Sequence, residues 1–117
     1  MKTSIRSGER YVGVEIRPDG RFVVAERMQG RPAAAAEFPA GRSGAQALRD
    51  HIEHEREHAH VCIKACGAAA LGFATALAPV PRLEVTLVPA QALRSPTLVR
   101  SAEDTAAQLA RLAERLF

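Results

Sequence analysis

Apolar and polar positions change period several times along the chain, and each change marks an element. Residues 11–16 alternate, with Val12, Val14 and Ile16 on one side and Gly13 and Glu15 on the other, the period-two pattern of a half-buried strand. Pro18-Asp19-Gly20 then turns the chain, since proline fixes φ and glycine accepts positive φ. Residues 21–28, centred on Phe22, Val23, Val24 and Ala25, return as the second strand of a hairpin. Gln29-Gly30-Arg31-Pro32 is a second turn and 33–38 a weaker third strand, so an antiparallel meander is expected. Pro39-Ala40-Gly41-Arg42 breaks that pattern, and Ser43 is placed to cap a helix running to about His58, with Ala45, Leu48, Ile52 and Ala59 on one side. Val61-Cys62-Ile63 is the short continuous apolar run of a central strand buried on both faces. Residues 67–78 are apolar all round, which predicts a buried helix, ended by Pro79 and Pro81. A strand over 83–88 follows, with Val85 and Leu87 inward. Ser101 then opens a last helix striped by Ala106, Leu109, Leu112, Ala113 and Leu116.

The expected order is β-β-β-α-β-α-β-α. Such an α/β chain builds a mixed sheet, a three-strand antiparallel meander followed by βα units whose right-handed crossovers place helices on its faces. Residues 1–10 are polar and unpatterned and read as a disordered arm, leaving 11–117 as one domain. With 47% apolar but only 4% aromatic residues and no Trp, the core must be built from Ala, Val, Leu and Ile. The excess of Arg over Lys and the abundance of Ala fit a GC-rich bacterial genome. The formal charge of +3 is compatible with a DNA or RNA partner, but 13 acids offset 16 bases and no dense basic block occurs, so a mildly basic solvated surface is the plainer reading. No apolar run has membrane-spanning length and the start lacks a signal-peptide layout, so no membrane partner and a cytoplasmic location are expected. Cys62 and Cys66 are too few for a disulfide framework and read as reduced, buried small hydrophobes.

Three short segments carry a family likeness. Gly13-Val14-Glu15-Ile16 on the first strand resembles the Gly-Ile-Asp opening of the DEDD-type insertion-sequence transposases and invertases. Lys64-Ala65-Cys66-Gly67, after the fourth strand, resembles that family's Glu-Ala-Thr-Gly. Val88-Pro89-Ala90-Gln91-Ala92-Leu93-Arg94, after the fifth, resembles its Asn-Pro-Ala-Gln-x-x-Arg. The likeness implies a ribonuclease-H-like fold, similar to the amino-terminal domain of the RuvC resolvase. It also implies four carboxylates holding two divalent ions at the carboxyl ends of the central strands. Full-length members carry a second, carboxy-terminal catalytic region, which is not expected from these residues.

The acids required by that likeness are degenerate here. The first survives as Glu15, and the second position is Lys64, a cation where a ligand should be. The third and fourth should come from a Lys-Thr-Asp-x-x-Asp pattern. The matching stretch, Arg100-Ser101-Ala102-Glu103-Asp104-Thr105, leaves Glu103 and Asp104 one residue out of register. Losing one ligand charge and gaining one cation shifts the site by about two units, each worth roughly 4 kcal/mol at about 4 Å and an effective dielectric near 20. No Mg or Mn cofactor and no nuclease or strand-transfer activity are therefore expected; those ions enter only if the degenerate site is active. If the first and fourth strands pair in parallel, Glu15 and Lys64 fall at neighbouring ends and can form an ion pair; the alternative is a Lys64 that points to water. Glu15, Lys64, Gln91, Arg94 and Arg100 are the candidate binding residues.

His54-Glu55-Arg56-Glu57-His58 matches H-E-x-x-H, which on a helix puts two imidazoles on one face with a glutamate as general base. His51 lies one turn earlier, so any metal would be held by His51, His54 and His58. The surroundings are charged and the segment runs straight into a strand, so the plain reading is a solvated, ion-paired face and zinc is not expected. The expectations for function are thus, first, a non-catalytic transposase-like domain binding nucleic acid or a protein. A protein-interaction or homodimeric module built on the Leu109, Leu112 and Leu116 stripe comes second, and a zinc hydrolase third.

Overall fold

The computed structural model describes residues 9–54, 58–65, 67–93 and 102–116. Strands β1 (Arg10–Ile16), β2 (Phe22–Met28) and β3 (Arg31–Phe38) form an antiparallel meander. Helix α1 (Gly41–His54) leads to β4 (Ala59–Lys64), and α2 (Ala68–Leu77) to β5 (Leu83–Val88). A 3-10 turn at Ala90–Leu93 precedes α3 (Ala102–Leu116). The sheet order is β3-β2-β1-β4-β5, with β1–β4 and β4–β5 parallel. The chain is therefore α/β, with a five-stranded mixed sheet and, among the described residues, three α-helices. The first hairpin closes at Gly20 (φ 92°), where Asp19 Oδ1 accepts the Arg21 backbone N–H at 3.0 Å. That N–H, helped by the Arg21 guanidinium, holds the exposed Asp19 carboxyl below its usual range.

Alternation along the strands gives the sheet two unlike faces. Val12, Val14, Ile16, Phe22, Val24, Val61 and Ile63 form the larger core with Leu48 and Ile52 of α1 and Phe73 and Leu77 of α2. On the other face, Cys62 and Val88 pack with Leu93 and with Leu109 and Ala113 of α3, flanked by Tyr11. Helix α3 lies over β1, β2 and β4. Its seat is Gly13: a Cβ there would stand 2.1 Å from the Ala106 carbonyl oxygen and 2.5 Å from the Ala110 nitrogen. Glu114, in the last turn, accepts from Arg27 Nε at 2.9 Å and from the Gly30 N–H at 3.0 Å. Since Arg27 lies opposite Tyr11 and Val23 opposite Glu15, α3 runs antiparallel to β1 and its first turn points to the Glu15 end.

Several sequence expectations need correction. Arg10 does not belong to a loose arm: it opens β1 with 3% of its surface exposed, held by Glu26 and by the Ile52 carbonyl. Residues 1–8 lie outside the described set. Helix α1 is described over Gly41–His54 and does not include His58, where the sheet claims the chain; residues 55–57 lie outside the described set. The Arg10 N–H donates to the His58 carbonyl at 2.9 Å and the Ala59 N–H to the Arg82 carbonyl at 3.0 Å, and Ala59 is a strand residue. Helix α2 is not buried all round, since only Ala70, Phe73, Ala74 and Leu77 are covered and Leu71 is 58% exposed. Leu87, expected inward, is 36% exposed on edge strand β5.

Because backbone atoms crowd Gly13, no rotamer change can relieve a Gly13→Ala substitution. It should lower stability in urea unfolding by about 3 kcal/mol, the upper end of ordinary overpacking; a loss under about 0.5 kcal/mol, the range of a surface change, would contradict this seating of α3. Burial pushes the Cys62 thiol up to about 11 from its reference of 9.0. In a Cys66→Ser background, Cys62 should therefore resist a disulfide thiol reagent at pH 8 until denaturant is added. Between about pH 9 and 11 only the unfolded thiol ionises, so this group's contribution to stability falls as pH rises through that window. Rapid labelling of the folded protein would show that the α3 face opens.

Candidate functional site

Parallel pairing brings the carboxyl ends of β1, β4 and β5 to one edge of the sheet. Glu15 and Lys64 stand there on the face that carries α3. Val23 lies opposite Glu15 and Val88 opposite Lys64, both nearly fully buried, so the two charged side chains are flanked by apolar neighbours and turn to each other. Lys64 Nζ donates to Glu15 Oε2 at 3.3 Å. The carboxylate is the more enclosed, its side chain 13% exposed against 30% for Lys64. Glu15 Oε1 is buried and has no hydrogen-bond partner among the described residues. The Ala65 N–H donates to the Val88 carbonyl at 2.8 Å and fixes the exit from β4 beside the pair.

The other residues named for this site are less informative. Gln91 is exposed on the 3-10 turn. Glu103 and Asp104 occupy the first turn of α3, which points toward Glu15, but their side chains lie outside the described set. Arg94 and Arg100 lie outside the described residues altogether.

The proposed helical metal set of His51, His54 and His58 is not brought together. His51 meets Glu26 on the α1 face and His58 meets Glu84 on the α3 face, so the two imidazoles serve opposite faces of the sheet. The His54 side chain is outside the described set. His51 Nε2 meets Glu26 Oε2 at 2.6 Å on the α1 face, and Arg10 Nη1 donates to Glu26 Oε1 at 3.0 Å. Arg10 Nη2 also donates at 2.6 Å to the carbonyl of Ile52 in α1. This network, nearly buried at Arg10 and Glu26, ties α1 to the sheet. It escaped the sequence reading because its members lie 16 to 42 residues apart.

His58 turns instead toward β5, where His58, His60 and Glu84 converge on the α3 side of the sheet. The sequence signal for that trio is strand spacing: His58 and His60 are two apart, and Glu84 stands opposite His60 in the parallel register.

No protein-family model matches the chain, and a search of curated proteins finds none similar to it. Among the described residues, no helix is long and apolar enough to cross a membrane.

A double-mutant cycle measures what joins Glu15 to Lys64. For a partly buried pair the coupling from Glu15→Gln, Lys64→Met and the combined variant should be about 1 kcal/mol in urea unfolding. Additive single effects would mean that the two groups do not sense each other.

Proposed function

We propose that this chain is a non-catalytic ribonuclease-H-like domain, of the kind found at the amino terminus of DEDD-type transposases, which acts by binding nucleic acid. Support for the fold comes from the central β1–β4 parallel pair beside an antiparallel meander, with helices on both faces. The observation that carries the loss of catalysis is the Lys64 ammonium seated 3.3 Å from Glu15. A two-metal phosphodiester site needs anions there to offset four positive charges. A divalent ion at Glu15 would instead face a cation at roughly 4 Å, a repulsion near 8 kcal/mol at an effective dielectric of about 20. Among the described side chains, the donor set does not fit magnesium or manganese.

With that chemistry removed, recognition is what the domain retains, and the formal charge of +3 has the sign that phosphate contacts require. A two-fold interface through the α3 stripe draws less support. Leu109 is fully buried and Leu112 packs against the smaller core, which leaves only Leu116 turned outward, 56% exposed.

Purified protein incubated with branched and duplex DNA in Mg²⁺ or Mn²⁺ should leave both uncut. It should retain them with an affinity that falls linearly in log–log form as salt rises. Manganese-dependent cleavage that disappears in Glu15→Gln would overturn the non-catalytic reading. Salt-insensitive self-association without DNA retention would replace nucleic acid by a second copy of the chain.

A further inference from the structure

The amino ends of β4 and β5 carry a second constellation, at the opposite end of the sheet from Glu15 and Lys64. We propose that His58, His60 and Glu84 bind one zinc ion, with the fourth position left to water. One donor atom from each residue lies within 4.8 Å of the other two. His58 Nε2 is 3.1 Å from Glu84 Oε2, and His60 Nδ1 is 3.3 Å from Glu84 Oε1. Zinc bonds of about 2.0–2.2 Å set the edges of a tetrahedral site near 3.4 Å, so each imidazole already stands about one such edge from a Glu84 oxygen, His58 from Oε2 and His60 from Oε1. Two imidazoles and a carboxylate are also a donor set that suits zinc.

The surroundings of His60 strengthen the assignment. Its side chain is 7% exposed, and while Nδ1 faces Glu84, Nε2 faces Glu9 Oε2 at 3.8 Å. The Tyr11 hydroxyl donates to Glu9 Oε1 at 3.0 Å, and the Tyr11 ring stacks on the imidazole at 5.4 Å and 13°. The stacked Tyr11 ring holds the imidazole, and the Glu9 carboxylate stands behind its second nitrogen, the side on which metal-ligating histidines find their outer partners. His58 and Glu84 are 38% and 51% exposed and free to close on an ion, whereas His60 is already held. Helix α3 covers β1, β2 and β4, so the trio opens to solvent beside edge strand β5. Bound zinc would pin that edge strand to β4.

The test uses the full chain without a polyhistidine tag, dialysed against chelator and then titrated with Zn²⁺ against a competing dye. A single equivalent should bind and raise the melting temperature. His58→Gln and Glu84→Gln, both at exposed positions, should each weaken binding about tenfold or more, the scale on which even outer partners of a metal matter. The double variant should unfold like the parent in chelator yet show no zinc-dependent shift. Co²⁺ should give visible bands of a four-coordinate nitrogen–oxygen site without a thiolate charge-transfer band. Three results would each overturn the proposal: no uptake at micromolar free zinc, which leaves the trio a hydrogen-bonded cluster; equal uptake by the double variant; or a thiolate signature that moves the ion to a cysteine. None bears on the DNA reading, which rests on the other end of the sheet.

Discussion

A helix can lie directly on a strand only where the strand presents no side chain, and Gly13 is where α3 meets that condition. The Ala106 carbonyl and the Ala110 nitrogen occupy the space that a Cβ would take. That contact sets the height of α3 above the sheet, and the bonds from Arg27 and Gly30 to Glu114 anchor its last turn. With one helix fixed over the middle of the face, apolar packing is confined to Gly13, Cys62 and their neighbours, and polar groups collect beyond its two ends. Glu15 and Lys64 stand at one end, and Tyr11, His60 and Glu84 share a row at the other.

The opposite face solves its electrostatics differently. Arg10 and Glu26 are almost wholly buried there, and such a pair persists only if its remaining donors and acceptors are satisfied. The Ile52 carbonyl and His51 partner these two charges, which fixes α1 against β1 and β2. Lys64 and Glu15 differ in kind: the ammonium keeps partial access to water, and one carboxylate oxygen remains unmatched among the described residues. The first network is architecture, while the second has the exposure of a place where something else can dock.

Local periodicity made the strands legible. Residues 83–88 form β5 with the bounds that alternation predicts, and the buried run Val61-Cys62-Ile63 lies inside β4. The contact of Glu15 with Lys64 was readable too, on condition that β1 and β4 pair in parallel. Readings failed where one residue satisfies two periods, or where the deciding partner is remote. Ala59 continues the helical stripe of Leu48 and Ile52 but is also a strand residue, and its bond to Arg82 settles which pattern wins. His58 looked like a helical partner of His54 for the same reason. Arg10 looked like part of an arm because nothing near it in sequence explains a buried guanidinium.

The two ends of the α3 face differ in the sign of what they can accept. At the carboxyl ends of the strands a lysine neutralises the carboxylate, so a further cation meets repulsion and an anion meets a partly exposed ammonium. At the amino ends two imidazoles and a carboxylate gather donor atoms that suit a cation. The proposed phosphate contact therefore falls at the first end and the proposed metal ion at the second. Both assignments follow from the seating of one helix on Gly13, because a shorter or tilted α3 would change which rows of the sheet stay uncovered.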